Sequence, residues 1–422
     1  MRGEIYDVIV DLRKDSPTLR RWCAVVVSSD NRRQIYIPAG CGHAFLCVKE
    51  ADMLYIQSGC FDPPKEHDLN PFDKLLDIYW PELDDVPGYI MSQKDRNSPT
   101  LTGYDVNIAS PIKRYLVIGA SGQVGGALVE ALGEKNVIGT FGKVPCEGMV
   151  KFNLEEAARD SQSAEELMDM CRPHYVFICA GRTWVDGCEA EGDVPYLVNG
   201  EGPRNVARAA RRVGARTFYF STDYVFEGAH EGHMYTESDE TSPINTYGRS
   251  KLAGERAVLE EDPDSLVLRT TGVFGPEKQG KNFVYQLCAS VSQGKDVMCP
   301  VDSFGSPTYN RDLAAMTIGL LEQNEAGIFH CVGPQNCSRY DFATIISRTW
   351  NLGAKFIKPT NLKTMFELTS ARLGYAAVRG AHLALSNTKL TTRIPEKYHP
   401  RSIEDALLHW KANPTGAECN FN

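Results

Sequence analysis

Tyr247 and Lys251 stand four residues apart in Tyr247-Gly248-Arg249-Ser250-Lys251. On a helix that spacing puts both side chains on one face, so the Lys251 ammonium can lie beside the Tyr247 hydroxyl. An adjacent cation favours the phenolate, whose reference pKa of about 10 is otherwise too high for acid–base work near neutrality. The spacing alone is common, and a surface Tyr–Lys pair is its ordinary meaning. It gains weight from Ser221-Thr222-Asp223-Tyr224-Val225-Phe226, which directly follows the apolar run 217–220. There the Thr222 hydroxyl stands at the carboxyl end of a predicted strand, where open α/β sheets bind ligands, and can hold a substrate carbonyl together with Tyr247.

A third group is Gly119-Ala120-Ser121-Gly122-Gln123-Val124-Gly125, between a predicted strand at 115–118 and a predicted helix at 123–132. In that setting Gly119 permits a tight turn, Gly122 lets backbone approach a pyrophosphate, and Gly125 allows close packing of helix on strand. The helix N-terminus then faces the phosphates. NAD-selective sites usually close the next strand with Asp or Glu, whereas this chain reads Gly139-Thr140-Phe141-Gly142-Lys143. Lys143 is either a partner for a 2′-phosphate or a solvated loop lysine. NADPH is the favoured cofactor, with NADH as the alternative.

The elements that must hold these groups follow from periodicity. Apolar strands at 115–118, 136–140, 175–179, 217–221 and 266–269 alternate with helices at 123–132, 164–171, 202–213 and 247–260, the pattern of a doubly wound parallel sheet of Rossmann type. Beyond Gly275 the alternation loosens into a smaller C-terminal substrate region, with helices at 310–323 and 338–352 around a strand at 328–332. Ser338 with Asp341, and Ser402 with Asp405, read as helix N-caps. Before residue 97 the chain alternates with period two at 6–12, 22–27, 34–37, 43–48 and 53–57, the mark of a small antiparallel β domain. Residues 98–112 read as a linker between a domain at 1–97 and a domain at 113–415.

Length and composition fit two or three folding units, with 422 residues, 42% hydrophobic and 23% charged. The formal net charge of −9 argues against nucleic acid as the main partner. Thirteen cysteines without a CxxC pair suggest neither a disulfide framework nor a zinc ribbon. No metal site is expected, since His230 and His233 lack ligand spacing. The amino terminus is charged where a signal peptide needs an apolar core, and no apolar run approaches a membrane span. The expected location is the cytoplasm.

Taken in order, the glycine motif, Ser221-Thr222-Asp223 and Tyr-x-x-x-Lys resemble the extended short-chain dehydrogenase/reductases. The surrounding words Pro243-Ile244-Asn245-Thr246-Tyr247-Gly248, Lys251-Leu252-Ala253-Gly254-Glu255, Gly280-Lys281-Asn282-Phe283-Val284 and Gly305-Ser306-Pro307-Thr308-Tyr309 narrow this to the dTDP-4-dehydrorhamnose reductase-like proteins. The resemblance implies NAD(P)H-dependent reduction of a 4-keto-6-deoxy nucleotide sugar, with Thr222, Tyr247 and Lys251 catalytic. It implies cofactor contacts from Gly119, Ser121, Gly122, Gln123, Val124, Gly125, Lys143, Ala180, Gly181 and Thr183. Substrate contacts are expected from Val185, Asp186, Asn282 and Thr308. The family commonly has an aromatic residue where this chain has Gly272. A relative of the same fold, the regulatory β subunit of methionine adenosyltransferase, supplies the alternative of a dinucleotide-binding regulatory subunit. Expected partners are the nucleotide sugar and a second copy in a homodimer, with no nucleic acid and no membrane.

The first hundred residues resemble the later half of dTDP-4-dehydrorhamnose 3,5-epimerase, a cupin barrel, through Ile37-Pro38-Ala39-Gly40-Cys41-Gly42-His43-Ala44-Phe45, Leu54-Tyr55, Asp62-Pro63 and Ser92-Gln93-Lys94-Asp95. The match begins in mid-fold, after the arm that carries the family's general-base histidine. The expectation is therefore an incomplete barrel with vestigial site residues His43, Tyr55 and Asp95, Phe61 in place of a Tyr, and no unaided epimerase activity.

Overall fold

The computed structural model describes residues 2–13, 16, 18–57, 67–83, 88–103, 113–133 and 137–414. The chain forms two compact units, Met1–Lys113 with Met170–Arg172, and Arg114–Asp169 with Pro173–Asn422.

In the first unit β1 (Arg2–Asp11) is the centre of a three-stranded antiparallel sheet, flanked by β2 (Trp22–Ser28) and β3 (Cys41–Asp52). Its apolar side chains Val8 and Val10 pack with Leu76 and Leu101, delivered by the segments that follow. Two of the five expected strands do not form. Residues 34–37 and 53–57 have no ladder partner among the described residues, and Tyr36, Leu54 and Ile56 stay exposed. Alternation marks a face, but only a neighbouring backbone makes a strand. The start of the expected linker also differs: Leu101, in a short turn at Leu101–Gly103, is part of this core. Phe61, Asp62, Pro63 and linker residues 104–112 lie outside the described residues.

The second unit is built on seven parallel strands. These are β4 (Tyr115–Ile118), β5 (Val137–Phe141), β6 (Val150–Lys151), β7 (Tyr175–Ile178), β8 (Arg216–Thr222), β9 (Leu266–Thr270) and the strand Gly327–His330. Their order across the sheet is Gly327–His330, β9, β8, β7, β4, β5, β6. Because helices cover both faces, the strands are apolar without interruption, as in Leu116–Val117–Ile118 and Val176–Phe177–Ile178, all buried. Phe177, Phe218, Leu268 and Phe329 pack with Ala127 and Leu128 of the helix Gln123–Leu132 and with Leu313 and Leu320 of the helix Asn310–Glu322. The strand order reverses between β4 and β7, which opens a crevice above their carboxyl ends.

A second core, including Phe274, Leu287, Phe342, Trp350 and Trp410, joins the helices Phe283–Ser292, Arg339–Thr349 and Ile403–Ala412 in the C-terminal region. Ser338 and Asp341 form a reciprocal capping box, and the Ser402 side chain accepts from the Asp405 N–H. No helix among the described residues is long and apolar enough to cross a membrane.

Candidate active site

The glycine turn sits at the sheet reversal. Gly119 follows β4 with φ +86°, in the left-handed region that glycine tolerates, and a Cβ there would lie 2.8 Å from the Ala180 nitrogen at the end of β7. A Cβ on Gly125 would lie 2.2 Å from the Gly119 carbonyl oxygen, so the helix can begin against the turn only without a side chain. Gly122 is the helix N-cap and offers no side-chain cap, which leaves first-turn N–H groups for an outside acceptor. The Gln123 side-chain nitrogen in that turn is buried and meets no acceptor among the described residues. Ser121 and Val124 flank it, both partly buried. This cradle fits a pyrophosphate. Lys143, two residues beyond β5, is exposed.

Thr222 ends β8 and is 4% exposed. Its hydroxyl donates to Asp223 Oδ1 at 2.9 Å and accepts from the Tyr224 N–H at 3.3 Å. Tyr247 lies in the first turn of the helix Thr246–Glu261, whose N-cap Asn245 accepts from the Gly248 N–H at 2.8 Å. That helix reaches the strand end because Gly248 has no side chain: a Cβ would lie 2.1 Å from the Tyr224 carbonyl oxygen. The Tyr247 ring meets the Tyr224 ring edge-on at 5.8 Å, and the Thr222 hydroxyl is near enough to act on the Tyr247 phenol. Thr222 and Tyr247 are thus brought together.

Lys251 is buried, with its amine 3.9 Å from the centre of the Tyr219 ring. Burial lowers its pKa to about 7, while Glu255 and Cys179 act to hold it up. The Tyr247 hydroxyl moves the other way from what the sequence spacing suggests. Burial raises its pKa well above the ordinary phenol value, against the opposing pull of the Thr222 hydroxyl. Desolvation of the phenolate therefore outweighs any help from a lysine that is itself inclined to neutrality near pH 7.

Two groups that the sequence did not single out hold this geometry. Asn199, fully buried on the π-helical turn Leu197–Glu201, accepts from the Arg182 N–H at 2.8 Å and donates to the Arg182 carbonyl and the Ser250 hydroxyl at 3.0 Å. Its carbonyl accepts from the Tyr219 hydroxyl at 2.6 Å. Asn199 thus locks the loop after β7, carrying Ala180, Gly181 and Thr183, to the helix that carries Lys251. Glu255, one turn beyond Lys251, accepts from Ser221 Oγ at 2.5 Å and from Arg269 Nε and Nη2 at 2.9 and 2.7 Å in a fully buried ion pair.

The expected substrate residues are less free than their types suggest. Both Asp186 carboxylate oxygens accept from Arg379 at 2.8 Å, and one also accepts from the Ala377 N–H. Asn282 caps the helix Phe283–Ser292 and donates to the Gly275 carbonyl and the Glu277 carboxylate. Thr308 is fully buried, with its hydroxyl donating to the Ser306 carbonyl at 3.0 Å. Thr183 is exposed and Val185 is partly so. Gly272 has φ +54°, a backbone conformation that an aromatic side chain would occupy only under strain.

In the first unit His43 Nε2 lies 3.0 Å from both Asp7 carboxylate oxygens, and the Tyr55 ring meets the imidazole edge-on at 5.8 Å. His43 and Asp95 line one cavity with Phe45, His67 and Trp80. The Asp95 carboxylate accepts from the Ser92 hydroxyl at 2.7 Å within a helix cap.

Comparison with known proteins places this geometry. The family described as RmlD substrate binding domain matches residues 113–407, and dTDP-4-dehydrorhamnose 3,5-epimerase matches residues 1–103. The chain is 31% identical over 290 residues to a dTDP-4-dehydrorhamnose reductase of Burkholderia thailandensis, covering 66% of this chain and 92% of that one. It is 32% identical over 316 residues to a dTDP-4-dehydrorhamnose reductase of Mycobacterium tuberculosis, covering 74% and 97%. A dTDP-4-dehydrorhamnose reductase from Bacillus anthracis, solved in complex with NADP, is similar with a TM-score of 0.61 at 29% identity, covering 71% of this chain and 99% of that one. With a glycine turn at the sheet reversal, a Thr–Tyr pair at the end of β8 and this family match across residues 113–407, the chain belongs to the dTDP-4-dehydrorhamnose reductase family.

Proposed function

We propose that this chain reduces the C4 ketone of a 4-keto-6-deoxy nucleotide sugar with NADPH or NADH. The observation that carries the reading is the seating of Tyr247, on a helix that packs through Gly248 against the turn after Thr222, at the carboxyl end of β8 in a sheet whose reversal holds a glycine cradle fitted to a dinucleotide. A reduced nicotinamide bound there supplies hydride to the carbonyl carbon. The chain's own groups do the rest. Thr222 and Tyr247 hold the carbonyl oxygen, and Tyr247 gives it a proton as negative charge develops. Its raised pKa suits this direction, since an acid must keep its proton until the transition state. Lys251 contacts the nicotinamide ribose from the same helix face. Gly119, Gly122, Gly125 and Gln123 hold the pyrophosphate. Ala180, Gly181 and Thr183 border the nicotinamide, with Val185 on the sugar side. Asp186, Asn282 and Thr308 shape the sugar pocket through their internal bonds. The setting is cytoplasmic and the assembly a homodimer, with the nucleotide sugar as small-molecule partner.

The test follows dinucleotide oxidation with a panel of dTDP- and UDP-linked 4-keto-6-deoxy sugars. Tyr247→Phe keeps the ring and should leave NADPH affinity unchanged, while turnover falls on the order of 10²-fold or more. Undiminished turnover in that variant refutes the assignment. Tight NADPH binding by wild type with no turnover of any sugar supports a regulatory subunit instead.

A further inference from the structure

Arg339 opens the helix Arg339–Thr349, one residue past its N-cap Ser338, and is partly buried. Its guanidinium carbon lies 3.8 Å from the centre of the ring of Phe283, the first residue of the helix Phe283–Ser292. That ring is itself seated against Phe342 of the C-terminal core, at 5.8 Å between centres. Three arginines around the active site are each answered by a carboxylate: Arg182 by Glu191, Arg269 by Glu255 and Arg379 by Asp186. Arg339 has no such partner, and among the described residues its side chain makes neither an ion pair nor a hydrogen bond. Burial lowers its pKa below the ordinary guanidinium value, the sign of a cation drawn partly out of water. A guanidinium keeps its proton under that pressure, so it calls for an anion. We propose that Arg339, on its Phe283 platform, seats the diphosphate of the nucleotide sugar. This assignment rests on the reading of the chain as a nucleotide-sugar reductase.

Residues 377–383 form a strap between Arg339 and the helix that carries Tyr247. At one end the Val378 carbonyl accepts from Asn245 Nδ2 at 3.0 Å, two residues before Tyr247, and Arg379 holds both carboxylate oxygens of Asp186. At the other end Phe304 donates its N–H to the Ala381 carbonyl at 2.7 Å and accepts from the Leu383 N–H at 3.1 Å. The Phe304 and His382 rings stack at 5.2 Å between centres. On its opposite edge Phe304 pairs with Ser338, and the Arg339 N–H donates to the Ser303 carbonyl at 2.9 Å. Ser338 and His382 thus flank one short strand and stand roughly 10 Å apart at the usual strand spacing. Arg339 and Arg379 both act on the Tyr224 phenol, whose ring meets that of Tyr247 edge-on.

An aromatic face supports a guanidinium without competing for its donors, so the edge of the Arg339 fork stays open to two phosphoryl oxygens side by side. In a 4-keto nucleotide sugar the diphosphate is carried on C1, across the pyranose ring from C4. With C4 at Thr222 and Tyr247, the diphosphate falls on the far side of the sugar, where the strap leads to Arg339. The pyrophosphate of the dinucleotide takes the glycine cradle at the end of β4, so the two phosphate groups do not compete for this arginine. Arg379, already neutralised by Asp186, shapes the wall beside it. Such a contact is made equally with bound substrate and transition state, so it serves binding.

The test is titration calorimetry of the NADPH-saturated full chain with dTDP, UDP and their nucleosides. Wild type should bind at least one diphosphate more tightly than its nucleoside. Arg339→Met keeps a long stem on Phe283 and removes the charge, so diphosphate binding should weaken about 10- to 100-fold while nucleoside and NADPH binding stay as in wild type. The preference for diphosphate over nucleoside is a ratio, so a lower folded fraction leaves it readable. Arg339→Lys keeps the charge without the planar fork and should fall between the two. In turnover the loss should appear in KM for the keto-sugar nucleotide, with kcat little changed. An unaltered diphosphate preference in Arg339→Met, a parallel loss of NADPH affinity, or a wild type that binds neither diphosphate overturns the assignment of Arg339. A wild type that binds diphosphate through Arg339 yet reduces no keto sugar would support the seat and refute the reductase reading alone.

Discussion

Glu255 ties the fold to the site, and its removal can be worked through. The carboxylate is 2% exposed and holds Arg269, 3% exposed, through two hydrogen bonds while also accepting from Ser221. Glu255→Gln keeps the shape but leaves a guanidinium buried without a counter-charge. Breaking one side of such a pair costs about 3–5 kcal/mol, against a total folding stability on the order of 5–15 kcal/mol. For a unit of this size each kcal/mol moves the melting point by roughly 2–4 °C, so scanning calorimetry should show a fall on the order of 6–20 °C. Replacing both partners, Glu255→Gln with Arg269→Met, removes the buried cation and should recover most of that loss. The recovery should stop short of function. Glu255 also holds the Lys251 amine up near pH 7, so both the single and the double variant should lose charge on Lys251 at a lower pH than wild type. NADPH affinity measured by titration calorimetry should then weaken with rising pH sooner than in wild type. A single variant melting within about 1 °C of wild type, or a double variant no better than the single, would refute the account of Glu255 as a counter-charge.

The other expectations are more direct. Gly125→Ala drives a methyl group to 2.2 Å from the Gly119 carbonyl, so the turn must shift and NADPH binding should weaken at least about tenfold in a direct titration. No carboxylate closes β5, and Lys143 is free to meet a 2′-phosphate, so NADPH should be used at least as well as NADH. In Lys143→Glu, kcat/KM should fall more for NADPH than for NADH. In the first unit the Asp95 carboxylate accepts from Ser92 within a helix cap and orients no histidine among the described residues. NMR in D2O should show no exchange at C3 or C5 of a 4-keto-6-deoxyglucose nucleotide with this chain as sole catalyst.

Local signals made much of the second unit legible. Uninterrupted apolar strands with helices between them, and the Ser338 and Ser402 caps, are written in near-neighbour residues, and so are the glycine turn and the Thr222–Tyr247 approach. What sequence could not show depends on distant partners. Asn199 acts on residues 17, 20 and 51 positions away, and Arg379 engages Asp186 across 193 positions. Asp186 and Asn282 looked like ligand groups because their types suit a sugar, yet internal partners claim their side chains. The runs at 34–37 and 53–57 had the right alternation and lacked a neighbouring ladder. The direction of the Tyr247 shift escaped the helical spacing for a similar reason: proximity of a lysine is local, whereas burial is a property of the whole packing.

That burial leaves a pH signature. Lys251 falls from an ordinary 10.5 to about 7 in the folded chain, so between those values the unfolded chain binds more protons than the folded one. Stability should rise with pH across that window. Asp223 rises from 3.8 to about 6, so between those values the folded chain binds more protons, and stability should fall as pH increases. The two contributions slope in opposite directions and leave the site least favourable to folding between about pH 6 and 7, where its acid and its lysine both sit near their transitions. Urea midpoints measured from pH 4 to 9 on wild type, Asp223→Asn and Lys251→Met separate the terms. Asp223→Asn should remove the descending contribution below pH 6, and Lys251→Met the ascending one above pH 7. Variants whose curves parallel wild type throughout would mean that neither buried group titrates differently on unfolding, and the assignment of their shifts to burial would fail.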